Sequence, residues 1–226
     1  MSRGIVFRSI TAGLVCVAAL SACTNAPDSK VTATTIGTSI IKGSGKAKAP
    51  TAQQIAANVT KALAATDAQM ILLTVPQRKA ATVMQKLEQN RGYNTYGTAD
   101  RRSVTLRSGM MTATRGLGND LMSSNVDAVR ALVSARRGGT AQRVMRYLDG
   151  EELTRVEVSN CTVRVGATSR VRVAEINTAA TSVSETCQGD GSTFTNTYQV
   201  APNGQIVQSR QWHGPANSYL TIQSLR

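Results

Sequence analysis

The chain has 226 residues, 26 of them basic and 13 acidic, a formal net charge of +13 and only 4% aromatic side chains. That length allows one domain with a real core plus a leader and a tether. A single histidine and the absence of CxxC exclude the usual zinc arrangements, so neither a metal nor a cofactor is expected.

Arg3 and Arg8 flank a short positive start, and Ile10–Ala22 carries no charge. The run is shorter than the about 20 residues a bilayer span needs, but it suits the apolar core of a signal peptide. It ends in Leu20-Ser21-Ala22-Cys23, which resembles the bacterial lipobox. Cleavage is therefore expected before Cys23, with acylation of that cysteine and attachment to the membrane through its acyl chains. A diacylglycerol holds stably where one chain binds only reversibly, at about 0.8 kcal/mol per buried methylene. Thr24 and Asn25, in place of Asp, favour the outer membrane, with the protein facing the periplasm.

A chain exported this way does not meet nucleic acid. Its basic excess suits anionic lipid head groups, lipopolysaccharide phosphates or acidic polysaccharide, or else forms a solvated surface. The domain division that follows is a signal peptide over 1–22, a lipidated flexible tether over 23–50 and one β-rich periplasmic domain over 51–226. The tether is rich in Thr, Ser, Ala, Gly and Lys; a short strand at Thr38–Ile41 is left open.

Thr51 is a plausible N-cap for a helix reaching Ala65, with Ile55, Val59, Ala62 and Leu63 on one face. Gln69–Val75 reads as a buried strand stopped by Pro76, and Lys79–Glu88 as a short helix or an irregular edge. Tyr93–Thr98 and Ser103–Arg107 read as strands, the latter turning at Ser108-Gly109 into Met110–Thr114. Asn125–Ser134 has helical spacing, with Val126, Val129 and Val133 apolar, and Arg136–Gly139 is a loop. Strands follow at Arg143–Leu148, Leu153–Val165, Val171–Ala174, Thr181–Thr186, Thr193–Val200, Gln205–Trp212 and Ser218–Leu225. Asp149-Gly150 and Pro202–Gly204 supply turns.

Val156 and Val158 alternate with Arg155 and Glu157, and Val163 and Val165 with Thr162 and Arg164, the period-two signature of half-buried antiparallel strands. The expected fold is mainly β: an antiparallel meander curling into a barrel-like or sandwich sheet, with a short N-terminal helix and one or two further short helices. Cys16 leaves with the signal and Cys23 is acylated. Cys161 and Cys187 remain for one structural disulfide, stabilising by roughly 3–4 kcal/mol in the chain-entropy model.

Two regions stand out as ligand or partner contacts. In Arg115-Gly116-Leu117-Gly118-Asn119-Asp120, Arg115 could grip an acidic sugar or a carboxylate while Asn119 and Asp120 bond hydroxyls. The same loop could be purely structural, with Arg115 and Asp120 paired and Asp120 or Ser123 capping the next helix. Trp212 could be a sugar platform or a core anchor. His213, the sole histidine, cannot build a multi-histidine site. No GxSxG elbow is present, and Glu151-Glu152 beside a turn are ordinarily solvated, so an enzyme is not expected. Asp120 with Glu157 or Glu175 is the remaining carboxylate pairing.

Thr112–Ser123 (TATRGLGNDLMS), Tyr147–Gly150 (YLDG), the Cys161/Cys187 pair and Gln208–Trp212 (QSRQW) keep an order that resembles the YjbF/GfcB family of lipoproteins, linked to exopolysaccharide and group 4 capsule production. The resemblance implies a lipoprotein with a barrel-like domain, working beside an outer-membrane β-barrel and periplasmic proteins of a polysaccharide export system. It carries over no catalytic residues. The function expected is that of a non-catalytic accessory in exopolysaccharide or capsule secretion. The alternative is a polysaccharide-binding or polysaccharide-modifying envelope lipoprotein, motivated by the charge and by Arg115 and Trp212.

Overall fold

Thr51 opens the first helix, α1 (Ala52–Ala65), through a capping box: its hydroxyl accepts from the Gln54 amide at 3.2 Å, and the Gln54 side chain accepts from the Thr51 amide at 2.8 Å. The computed structural model describes residues 49–148, 153–189 and 192–226. The signal peptide, Cys23, the tether up to residue 48, the Asp149-Gly150 turn and Glu151-Glu152 lie outside them. The α1 face formed by Ile55, Val59, Ala62 and Leu63 packs on Met70, Leu72, Ala81 and Leu225.

Twelve strands follow in one antiparallel sheet. The first five are β1 (Met70–Val75), β2 (Ala80–Asn90), β3 (Tyr93–Gly97), β4 (Ser103–Arg107) and β5 (Met110–Arg115). After β6 (Leu121–Asn125) comes the second helix, α2 (Asp127–Ser134). Then come β7 (Gly139–Leu148), β8 (Thr154–Val173), β9 (Ile176–Gly189), β10 (Thr193–Val200), β11 (Ile206–Gly214) and β12 (Ser218–Ser224). The order across the sheet is β5-β4-β3-β2-β1-β12-β11-β10-β9-β8-β7-β6, so its two edges are consecutive in the chain. The sheet curls into a nearly closed barrel with one continuous apolar interior. α1 lies on the outside. α2 directs Val129 and Val133 into the interior, and its Asp127 reaches Arg107 at the end of β4, 2.5 Å away.

Three expectations need correction. Lys79–Glu88 is neither helix nor irregular edge but most of β2. The helix-favouring residues are overruled because Met70–Val75 must satisfy a row of backbone groups, and Ala80–Gln85 pair with them without a break. Leu121–Asn125 is a strand, and α2 begins only at Asp127, whose amide donates to the Asn125 side chain at 3.2 Å; neither Asp120 nor Ser123 caps it.

Third, Val156, Val158 and Val165 are 51%, 41% and 44% exposed, whereas Val163 is buried. The disulfide sets the parity. Cys161 and Cys187 sit opposite each other on β8 and β9, bonded and buried in the interior. A period of two then turns Ser159 and Val163 inward and Val156 and Val158 outward. Val165 shares the inward parity, but β7 accompanies β8 only as far as Val163, so it lies beyond the barrel wall.

Past that point the β8–β9 hairpin folds along the outside, where Val171 and Ala180 meet Ala201 and Val207. Arg226 holds its tip: the guanidinium donates to Glu175 at 2.7 and 2.6 Å and to the Thr66 and Leu63 carbonyls at the end of α1, 2.5 and 3.3 Å away.

Among the described residues the interior contains one ion pair, which periodicity did not reveal. Arg143 on β7 makes two bonds, 2.8 and 3.0 Å, to Glu185 on β9, and the two side chains are 1% and 0% exposed. Tyr198 and Asn196 donate to the same carboxylate at 2.6 and 2.9 Å. Burial opposes charge on Arg143, but the adjoining carboxylate outweighs it and holds the guanidinium pKa above its ordinary value. Removing one member leaves a buried charge uncompensated, so Arg143→Ala is expected to cost about 3–5 kcal/mol. Tyr198→Phe, which deletes one donor to a charged group, is expected to cost about 1.5–3 kcal/mol. Urea unfolding of both variants checks the ordering.

Candidate functional site

Two of the motif stretches, the Arg115–Asp120 loop and Tyr147, meet at the end of the barrel where β5 leads into β6, while the third, Gln208–Trp212, runs along β11 toward the opposite end. Asp120 accepts from the amides of Gly116 (2.7 Å) and Leu117 (3.0 Å) and from the Thr114 hydroxyl (3.0 Å). The turn needs left-handed backbone at Gly116 (φ 72°) and Gly118 (φ 75°). A Cβ on Gly118 would also lie 2.6 Å from the Arg78 guanidinium. The turn pushes Leu117 into the interior as a plug. Arg115 does not pair with Asp120. Its guanidinium donates to the Thr114 and Leu121 carbonyls at 2.6 and 3.2 Å, across the β5–β6 seam. Asn119 is exposed.

From the other motifs, Tyr147 donates to the His213 carbonyl at 2.8 Å. Gln211 accepts from the Met111 amide and donates to the Gly109 carbonyl, both at 2.8 Å, which ties β11 across the barrel to the β4–β5 hairpin. Trp212 belongs to a different cluster. Its ring lies parallel to Phe194 at 5.9 Å and edge-on to Tyr219 at 5.3 Å. The structure thus gathers Arg115, Asn119 and Asp120 in one loop and seats Trp212 among aromatic neighbours.

His213 is fully buried between Thr114 and Asn217. The Asn217 amide nitrogen faces the carbonyls of Leu117 (3.1 Å) and Gly118 (2.9 Å) as well as His213 Nδ1 (3.2 Å), so Nδ1 is the acceptor. The ring proton therefore sits on Nε2 and is donated to the Thr114 hydroxyl, which in turn donates to Asp120. The order imitates a hydrolase relay with the polarity reversed: this histidine gives a proton to the hydroxyl and cannot take one from it. The other candidate carboxylates are engaged separately, Glu157 with Arg155 at 2.9 Å and Glu175 with Arg226. Among the described residues, Cys161, Glu185 and Cys187 form a group of metal-ligand type, but both sulfurs are in the disulfide and the carboxylate holds Arg143.

The opposite end is built differently. α2 covers the part beside β7, β8 and β10, and a cavity of about 260 Å³ opens over the remainder. Its floor is Ile71, Leu106, Ile206 and Ile222. Its wall is polar: Lys86, Gln89, Asn94, Gln205 and Ser224 surround it, with Tyr96 at the side. Sequence reading missed this pocket, although a signal was present. Taking the inward row two residues outward turns Ile71 into Gln69, Met84 into Lys86, Tyr96 into Asn94, Leu106 into Ser108 and Ile222 into Ser224.

The model of the family described as group 4 capsule polysaccharide lipoprotein GfcB, YjbF, matches residues 34–225. Among solved structures, the hypothetical lipoprotein YmcC of Escherichia coli K12 is similar with a TM-score of 0.66 and 16% identity, over 81% of this chain and 97% of that one. At that identity the likeness concerns the fold. A putative exported protein of Bacteroides fragilis with a YmcC-like fold aligns with a TM-score of 0.29 and 13% identity, over 70% of this chain and 93% of that one. No curated protein matches the chain. Among the described residues no helix is long and apolar enough to cross a membrane.

Burial pushes the His213 imidazole down to about 4, with Asp120 opposing the shift and Arg78 adding to it. The unfolded chain takes up this proton near pH 6.5 while the folded chain refuses it until about pH 4. Stability is therefore expected to fall as the pH drops through that window, by roughly 3 kcal/mol at 1.36 kcal/mol per unit. Urea midpoints between pH 7 and 4 should show this slope, and His213→Gln should flatten it.

Proposed function

We propose, from the premise that this chain belongs to the group 4 capsule polysaccharide lipoprotein family, YjbF, that it is a non-catalytic accessory of capsule or exopolysaccharide secretion, anchored in the outer membrane through Cys23. The observation that carries this reading is the extent of the family match, which begins inside the tether at residue 34 and runs to residue 225. The whole domain is thus the unit shared with the capsule lipoproteins. The site chemistry supports a non-catalytic role, because the motif residues spend their hydrogen bonds on one another. Asp120 turns the loop, Gln211 braces the hairpin, and His213 presents its proton to Thr114.

On this reading the acyl chains on Cys23 hold the domain on the periplasmic side of the outer membrane. The tether lets it reach the β-barrel exporter and the periplasmic proteins of the same system. Deletion of the gene is expected to lower secreted polymer, measured as uronic acid and total hexose in the medium. A deletion strain with normal secretion overturns the reading. Cys23→Ser is expected to abolish palmitate labelling, move the protein out of the membrane fraction and reproduce the secretion defect.

A further inference from the structure

We propose that the polar mouth of the barrel is a binding site for one acidic sugar unit of a polysaccharide, with Lys86 as the residue that meets the carboxylate. The proposal rests on the capsule-secretion reading for the identity of the polymer and on the pocket itself for the chemistry.

The pocket is formed by inward-facing positions, not by surface loops alone. Met84 and Lys86 are two residues apart on β2, Tyr96 and Asn94 on β3, and Ile222 and Ser224 on β12, so each outer residue continues a row that is core one step deeper. The polar wall is therefore part of the sheet and is held by the same ladders. Amides and hydroxyls both donate and accept, which is what a ring of sugar hydroxyls requires. Tyr96 offers an aromatic surface for the apolar C–H face of a pyranose.

Among the described residues no carboxylate lines the cavity, and Lys86 is the single charged side chain that does. Its ammonium donates to Gln89 at 3.2 Å and keeps further donors for an anion. Asn94 Oδ1 is buried without a hydrogen-bond partner among the described residues, an acceptor left over for a hydroxyl.

Size narrows the ligand further. At about 260 Å³ the cavity lies below the roughly 300–1,000 Å³ of drug-sized sites. It suits one sugar ring, with the rest of the chain leaving through the open side. A nucleotide or a phosphorylated ligand would call for several cations or a glycine-rich cradle, and the lining has neither.

The test is calorimetric titration of the full acylated chain in detergent with a tetrasaccharide of galacturonic acid, beside maltotetraose and acetate as neutral and anionic controls. The acidic tetrasaccharide is expected to bind at least tenfold more tightly than either control. Lys86→Gln and Asn94→Ala are each expected to weaken it at least tenfold, with thermal midpoints near that of the parent chain. Lys61→Gln, on the exposed face of α1, is expected to leave affinity unchanged.

Absence of binding, equal affinity for acetate or for maltotetraose, or equal loss in Lys61→Gln overturns the proposal. Loss with Arg115→Ala and none with Lys86→Gln moves the site to the sealed end and also overturns it. A deletion strain with normal secretion would overturn the accessory role alone, because the titration reads the pocket independently of export.

Discussion

The whole domain depends on how a sheet with two free edges closes on itself. β5 and β6 are those edges, and unpaired edges invite association with other chains. Among the described residues no backbone ladder joins them, so the seam is sewn by side chains. The Thr114 hydroxyl takes the Leu121 amide at 3.0 Å, and the Arg115 guanidinium spans the carbonyls of Thr114 and Leu121. Asp120 shapes the short link so that both strands arrive together. With the seam shut, the inward row of every strand becomes core, and Leu117, His213 and Asn217 close one end. β6 is only five residues long beside the ten of β7, and α2, the segment that joins them, packs its valines into the interior there.

The closed sheet has two unlike halves. β7 to β10 carry the disulfide and the Arg143–Glu185 network, which fix the spacing of those strands from inside. A buried ion pair gives little net stability over an apolar pair, yet it strongly penalises any arrangement that separates its members. β1 to β4 with β11 and β12 form the other half, where β1, β4 and β12 line the interior with aliphatic side chains, β11 adds the buried Ser209, Gln211 and His213, and the mouth is polar. The basic character of the chain has no single focus; one arginine serves the core, another the seam and another the C-terminal clamp.

Local patterns in the sequence carried the strand-rich class, the N-cap at Thr51, the hairpin at Ser108-Gly109 and the pairing of Cys161 with Cys187. Features that depend on which strand lies opposite which were harder to read. Residues 79–88 have helical composition, and only the need of β1 for a partner makes them a strand. Val156 and Val158 alternate properly but with the wrong face inward. The disulfide would have corrected this, since Cys161 has the parity of Glu157, not of Val158. Arg143 and Glu185 are 42 residues apart in the chain and meet only because β8 brings β7 and β9 to its two sides. The polar mouth was written in the sequence as a change of character at, or one residue beyond, the rim end of five strands. Seeing it requires knowing that those five strands end at the same rim.

The position of α1 connects the two ends of the functional reading. It rests on β1 and β2, the strands that bring Gln69 and Lys86 to the mouth. Arg226 locks the end of the helix to the β8–β9 tip, so the last residue of the chain joins three distant segments. Packed side chains join α1 to the strands that form the wall of the pocket, and the Arg226 clamp joins it to the β8–β9 tip. On the proposed reading, the segment that leads back to Cys23 and the strands that hold the polymer unit meet on this one packed face. That arrangement suits a part that keeps a polymer close to a membrane exporter better than one that carries it away.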